Sequence, residues 1–418
     1  MFNRKTYRIL DKVELTAGLL SVLFIPIQKQ VVVVFMLVWL LAALTNLVVS
    51  LKNGEKIKFL RWEFLAFAVL ADFYLLHLIG LLYTSNLEYG LFDLEVKMSL
   101  FIVPLLIYVR AKFYSDSLLL FIKSLTIGLL VSFVINIVMA YLAFLEDGNR
   151  LHFYYSRLSP EVHPSYMALY VSLALIAIIH YWNKVQLITN ARISFLLKFS
   201  ISILLLSYLF LLSSKAGIIA FSVGITAYVA ARLAKRLKPI VVFVIAVLIF
   251  LIPVVVVTQL PLVNKRFKEV SMAYKNPKNS NIDSEYGSLV RMAIIKAGWH
   301  LSVENLPWGV GTGDVKDAIV DYHELHGSKK ISSRYLNAHN QFAQSTIALG
   351  VLGLLLLLIF FIFGFAHAFR QNKILLSVFL LMLFVHFLFE SMFETQAGVV
   401  FIVLFYCLLL AERAMKIE

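Results

Sequence analysis

The sequence predicts an all-α polytopic membrane protein, with about twelve transmembrane helices and one long, partly helical external loop. Three observations predict it. First, the chain is 61% hydrophobic and only 15% charged over 418 residues, whereas soluble domains are roughly half apolar and a quarter charged. Second, the apolar residues come in long runs, and about 20 such residues match a bilayer core of about 30 Å. Backbone groups in lipid must be satisfied internally, which allows only helices or a closed barrel, and continuous rather than alternating runs select helices. Third, the basic residues gather in every second connection between the runs.

The expected spans lie near 13–27, 31–51, 62–83, 97–109, 118–145, 164–182, 193–213, 215–231, 239–258, 339–368, 374–390 and 397–412. The fourth is short and is interrupted by Pro104, and only Ser214 and Lys215 part the seventh from the eighth. Arg4, Lys5, Arg8 and Lys12 precede the first span. Lys52, Lys56, Lys58 and Arg61 follow the second, and Arg110 and Lys112 the fourth. Lys184 and Arg192 follow the sixth, and Arg232, Lys235, Arg236 and Lys238 the eighth. Arg370 and Lys373 follow the tenth, and Arg413 and Lys416 the last. By the positive-inside rule this alternation places both termini in the cytoplasm. The formal charge of +14 is then a topological signal, and no nucleic-acid partner is expected. The single cysteine, Cys407, sits within an apolar run and supports no disulfide framework. The first run is flanked by charge and followed by further spans, so it reads as a retained helix rather than a cleaved signal.

Three regions follow: a bundle of about nine spans over 1–258, a loop domain over 259–338, and a hairpin plus last span over 339–418. The loop mixes proline, glycine, aromatic and charged positions and is expected to fold into two or three short helices. One covers Ser288–Val303, with Leu289, Met292, Ile294, Ile295 and Trp299 as its apolar face; another covers Val315–Glu324. Between them, Asn305–Asp314 is a glycine-rich turn.

The most informative stretch is Ala338–Gly353, where this loop enters the tenth span. His339 and Asn340 stand at the border, where a histidine can titrate, donate or accept near neutral pH. The competing reading is an interfacial histidine beside a helix-capping asparagine. Arg291 opens the loop helix and suits a phosphate or pyrophosphate clamp, or else a solvated helix face. Lys215, in L-L-S-S-K-A-G between two apolar runs, is a costly cation at that depth and so a functional candidate, or a snorkelling lysine. His386, Glu390 and Glu394 recur every four residues, so they are expected on one helical face at the outer end of the eleventh span. Glu390 is the member best placed to orient His339 or a sugar hydroxyl. His163-Pro164-Ser165-Tyr166 opens the sixth span with ordinary capping grammar, and His163 and Tyr166 are candidates to line an outer cavity. Lys97 is either a second anion contact or an anchor. Gly309–Gly313 has the look of a phosphate-cradling turn but lacks the preceding strand and the Lys-Ser/Thr ending. No HExxH motif, Cys/His cluster or EF-hand loop is present, so neither a metal nor a cofactor is expected.

Together these pieces resemble the O-antigen ligase and O-antigen polymerase-like (Wzy_C-type) membrane glycosyltransferases. His339-Asn340, nine residues, Gly350, two residues and Gly353 resemble that family's H-N-x9-G-x-x-G signature. Arg291, Trp299 and P-W-G-V-G-T-G from Pro307 resemble the R…W…P-x-x-G-x-G run of its loop. Ser214-Lys215-Ala216-Gly217 resembles its S-R-x-G turn, with lysine where the family usually has arginine, which keeps the charge and loses the bidentate fork. H-P-S-Y at His163 and E-S-M-F-E-T-Q from Glu390 are also similar to members of the family.

The resemblance implies a metal-independent transferase in the bacterial inner membrane, with its site facing the periplasm. The implied donor is a glycan on undecaprenyl pyrophosphate; the implied acceptor is lipid A–core for a ligase, a second carrier-linked glycan for a polymerase, or a protein. Displacing pyrophosphate at an anomeric carbon needs charge neutralisation of the leaving group and a base or positioner for the acceptor hydroxyl. Arg291 and Lys215 are assigned to the first task and His339 to the second. The rival of another class is a secondary transporter, which would show similar halves and charges near the bilayer midplane. Here the polar candidates gather instead at one face and in one loop.

Overall fold

The computed structural model describes residues 4–54, 61–234, 236–258, 287–326, 332–333 and 335–412. Among them the fold is entirely helical, with no strand. The helices are α1 (Arg4–Phe24), α2 (Lys29–Lys52), α3 (Arg61–Gly80), α4 (Leu87–Lys97), α5 (Ser99–Val109), α6 (Ala111–Asp147), α7 (Tyr155–Leu158) and α8 (Pro164–His180). They continue as α9 (Ala191–Leu211), α10 (Lys215–Leu233), α11 (Pro239–Thr258), α12 (Gly287–Glu304), α13 (Val315–Leu325), α14 (Gln341–Arg370), α15 (Ile374–Phe387) and α16 (Gln396–Ala411). Single 3₁₀ turns occupy Arg150–Phe153 and Met392–Glu394.

All twelve apolar runs fall on helix. Among the described residues five helices are long and apolar enough to cross a membrane: α2, α6, α9, α10 and α14; five shorter apolar stretches lie in α3, α8, α11, α15 and α16. The fourth expected span differs. It is the 11-residue α5, which at about 1.5 Å per residue covers about half of the hydrocarbon core. Its helix runs through Pro104, and the preceding segment, expected as loop, is the helix α4. The fifth is longer than expected, with 37 residues starting directly after Arg110.

The best-buried helix is α16, with every residue from Gly398 to Ala411 inside the bundle. Around it α5, α6, α8, α14 and α15 complete one apolar core. Charge is neutralised where it must enter. Glu14 on α1, fully buried, takes hydrogen bonds from Arg110, Tyr114 and Asn46. Removing one partner from such a buried network leaves an uncompensated charge.

Of the basic residues in the connections, Lys56, Lys58, Lys235, Arg413 and Lys416 lie outside the described residues, as do the side chains of Arg4, Lys5, Arg8 and Arg61. Both expected loop helices form, as α12 and α13; residues 259–286, with any third helix there, fall outside the described residues. The apolar face expected on α12 is divided. Ile294 is buried with Val290, Ala293 and Leu336, while Met292, Ile295 and Trp299 are exposed. The side chain of Leu289 is outside the described set.

Candidate functional site

The helices α8, α10 and α14 begin at one end of the bundle, and their first residues meet. Ser165, in the first turn of α8, has its Oγ 3.1 Å from the Oγ of Ser214, the N-cap of α10. The same Ser165 hydroxyl donates to Glu390 Oε1 at 2.9 Å. Glu390 Oε2 lies 3.3 Å from His339 Nδ1, just before α14. Arg291 on α12 closes the group, its Nη2 2.9 Å from Glu390 Oε1 and 3.3 Å from the Tyr155 hydroxyl. One carboxylate, only 4% exposed, thus joins α8, α12, the entry to α14 and the end of α15.

Local sequence explains these placements. Pro164 starts α8 without needing an N–H partner, and His163 Nδ1 caps it by accepting the Ser165 N–H at 3.3 Å. Ser213 adopts φ +47°, which reverses the chain between α9 and α10, and Ser214 Oγ accepts the Gly217 N–H. His339 also has φ +47°. That left-handed conformation is uncommon for a residue with a Cβ and more frequent for His, Asn and Asp than for most. It is over-determined by its surroundings. Asn337 Oδ1 accepts the His339 N–H at 3.1 Å, and Gln344 Oε1 accepts the Ala338 N–H at 2.9 Å. Asn340 then caps α14 by accepting the Ala343 N–H, and its Nδ2 donates to the Leu388 carbonyl at 3.1 Å. The bland reading of Asn340 is therefore the one the geometry realises, and this cap ties His339 to the chain leading into Glu390.

Electrostatics follow from the geometry. Burial opposes ionisation of Glu390, but the hydrogen bond with His339 and the charge of Arg291 outweigh it and hold the carboxyl down at about 2. Burial pushes His163 below the usual imidazole range against the pull of Glu390, and Arg291 and His339 push it the same way. His163 is accordingly neutral at neutral pH. The rings of Tyr155 and Tyr166 stand edge-on to it.

The expected stripe of His386, Glu390 and Glu394 does not form. Helix α15 ends at Phe387, the N–H groups of Phe389 and Glu390 both turn onto the His386 carbonyl, and Glu390 and Ser391 are no longer helical. The three side chains go to different places. His386 is buried with Nε2 3.2 Å from the Ser165 carbonyl, Glu390 joins the cluster above, and Glu394 pairs with Lys97 at 3.1 Å. Lys97 itself is corrected. It is 1% exposed and shared between Asp93 and Glu394, so its charge is already balanced inside the fold and it offers no anion contact.

The glycine-rich turn takes a structural place. Its N–H groups are spent on the protein: Val310 on Ile347 O, Gly311 on Ala348 O, and Gly313 on Thr84 Oγ1. In return Pro307 O accepts the Val351 N–H at 2.9 Å. This exchange is possible because α14 breaks at Gly350, with φ +61° and ψ −147°. A Cβ on Gly350 would stand 1.8 Å from Pro307 O, and one on Gly309 would stand 2.6 Å from Ala348 backbone. Gly309 and Gly350 let the backbones of the loop and of α14 touch, and Gly311 lets the loop approach Thr84 and the Gly80 carbonyl. Gly353, one turn further, clears the Ser345 carbonyl.

His163 and Tyr166 line a cavity of about 460 Å³, which also takes in Phe92, Glu95, Glu161 and Glu394. Tyr166 donates to the Ser391 carbonyl at 3.3 Å. Lys215 is half-buried as the first residue of α10, directly after Ser214. Among the described residues no group of three His, Cys, Asp or Glu side chains is placed to hold a metal ion.

Residues 200–358 match the O-antigen ligase family. The resemblance expected from the sequence is borne out over that stretch. The matched stretch includes Lys215, Arg291, His339 and Asn340, and the glycines at 309, 311, 350 and 353; Glu390 and Ser165 lie outside it. No curated protein matches the chain significantly. Ser165, Ser214 and Tyr155 were not singled out from the sequence. The two serines stand within quoted motifs, H-P-S-Y and S-K-A-G, while nothing local marks Tyr155, 136 residues from its partner Arg291.

Proposed function

We propose that the chain transfers a glycan from an undecaprenyl-pyrophosphate carrier to an acceptor hydroxyl at the periplasmic face of the bacterial inner membrane, in the manner of an O-antigen ligase with lipid A–core as acceptor. The observation that carries the proposal is the convergence of Arg291 and His339 on buried Glu390, beside the N-terminal ends of α8, α10 and α14. Helix N-termini favour anions, and an arginine fork suits a phosphate group. With Lys215 at the first turn of α10, the set is suited to a departing pyrophosphate.

The reaction is a single displacement. The acceptor oxygen forms a bond to the anomeric carbon as the bond from that carbon to the pyrophosphate oxygen breaks. If His339 donates its Nδ1 proton to Glu390, Nε2 keeps its lone pair and can take the acceptor's proton. Glu390 fixes that tautomer and steadies the imidazolium that results. Arg291 and Lys215 stabilise the charge that develops on the leaving group. Depth is also suitable. The helices α8, α15 and α16 have 17, 14 and 16 residues, short of the roughly 20 that span a bilayer core. A site at their ends is recessed towards the level of a lipid-linked headgroup.

The test is the glycan profile of a strain lacking the protein. Long carrier-linked chains that fail to reach lipid A are the expected result. Single repeat units would instead assign polymerisation from the same donor, and an unchanged profile would overturn the transferase reading.

A further inference from the structure

The helix α12 has three faces rather than two. Val290, Ile294, Ala297 and Leu301 are buried, the first two packed with Ala293 and Leu336 and Leu301 with Val315, Ile319, Ala338 and the first part of α14. Lys296, His300 and Glu304 form an exposed polar edge, with His300 and Glu304 3.6 Å apart. Between the buried face and this edge runs a second apolar stripe of Met292, Ile295, Trp299 and Val303, all exposed, Trp299 to 73%. At 100° per residue these four fall within about 80° of one another. A helix resting on a soluble core has one apolar face; a second, flanked by charge, is what a helix at a water–lipid boundary presents.

The surroundings continue the stripe. After α12, Leu306 and Trp308 are exposed, Trp308 to 69%. The Pro307 carbonyl between them holds the Val351 N–H, so this segment sits where the long arm of α14 begins. From there Val351, Leu352, Leu355, Ile359 and Ile362 are exposed along α14. The arm from Val351 to Arg370 is long enough, at about 1.5 Å per residue, to cross a core of about 30 Å. The Tyr83 hydroxyl donates to the Trp308 carbonyl at 2.9 Å, and tryptophan with tyrosine at one level is the composition of a membrane interface.

We propose that α12 lies on the bilayer, seating Met292, Ile295, Trp299 and Val303 among the acyl chains of the leaflet on the side of the Arg291 cluster. The occupant of the stripe is the lipid surface, because exposed Leu306 and Trp308 and the Pro307–Val351 backbone contact lead from the stripe to the exposed apolar flank of a membrane-length helix. Arg291, which lies between the buried face and the stripe, is thereby held at headgroup level. The proposal rests on the membrane reading of the bundle and stands whether or not the chain transfers a glycan.

The test uses the full chain in bilayer discs. The other tryptophans, Trp39, Trp62, Trp182 and Trp308, are changed to Phe, and Trp299 emission is recorded with ordinary and with acyl-brominated phospholipids. Emission blue-shifted from that of tryptophan in water and largely lost on bromination is expected. Water-like emission that bromination leaves intact would overturn the proposal, as would blue-shifted emission that bromination leaves intact, which would mean a protein cover. If the multiple variant does not fold, a nitroxide on Met292→Cys in a Cys407→Ala background gives the same answer. Greater accessibility to oxygen than to a water-soluble relaxant is expected, and the reverse would overturn the proposal.

Discussion

His339 Nδ1 lies 3.3 Å from Glu390 Oε2, across 51 positions of sequence and between two chain segments that leave the bundle core at the same end. A hydrogen bond donated by Nδ1 across this contact would fix the tautomer of a neutral histidine, and the contact helps keep the carboxylate ionised. Glu390→Gln keeps the shape and removes the charge. Transfer by the purified protein should fall on the order of a hundredfold, with expression retained. Initial rates equal to wild type would remove Glu390 from the mechanism.

The same carboxyl sets a pH dependence of stability. Its folded value of about 2 lies below the ordinary 4.5. A depressed acid stabilises the fold above its unfolded pKa and loses that contribution as pH falls through the folded one. The contribution is on the order of 3 kcal/mol and should disappear between about pH 4.5 and 2. Melting in detergent across that window should decline more steeply for wild type than for Glu390→Gln; parallel declines would contradict the assignment.

Arg291→Ala and His339→Ala should each abolish transfer, since loss of one charge-stabilising donor typically costs a hundredfold or more. Lys215→Arg should retain transfer, because it restores the arginine of the resembling motif. A complementation gel for the glycan product reads all three. Normal product from both alanine variants would sink the assignment of those two residues, and loss with Lys215→Arg would give the lysine another role.

Gly350→Ala should undock the loop rather than alter chemistry directly. The new Cβ would collide with Pro307 O, in a left-handed backbone that only glycine adopts cheaply. A loss of about 1–3 kcal/mol is expected, together with faster protease cleavage between α12 and α14. Wild-type melting and cleavage would mean that the two backbones separate in solution.

Lys97→Ala should be among the most damaging single changes, because it strands Asp93 and Glu394 in the interior. Breaking a buried pair this way costs about 3–5 kcal/mol. The triple change Lys97→Met, Asp93→Asn, Glu394→Gln should recover much of the melting temperature, since it removes all three charges together. Equal losses in both variants would show that the ion group matters for more than charge balance.

Much of the fold was legible because lipid is an exacting solvent. Runs near 31–51, 193–213 and 339–368 had to be helices, and α2, α9 and α14 are. Capping grammar marked where α8 and α14 begin, at Pro164 and after Asn340. The extent of α5 and α6 was not legible, since a run of apolar residues fixes neither where a helix starts nor how it is tilted. The stripe of His386, Glu390 and Glu394 failed for a related reason. Four-residue spacing means one face only while the helix lasts, and α15 stops at Phe387.

By itself the sequence determined the helical, apolar character of the chain and the residue types at its most informative loop, because composition and spacing act locally. Only the tertiary structure decided that Glu390 serves both Arg291 and His339, that Lys97 is consumed by two carboxylates, and that the glycines join two backbones. Those facts depend on which helix ends meet, and that is fixed by the packing of the whole bundle around α16.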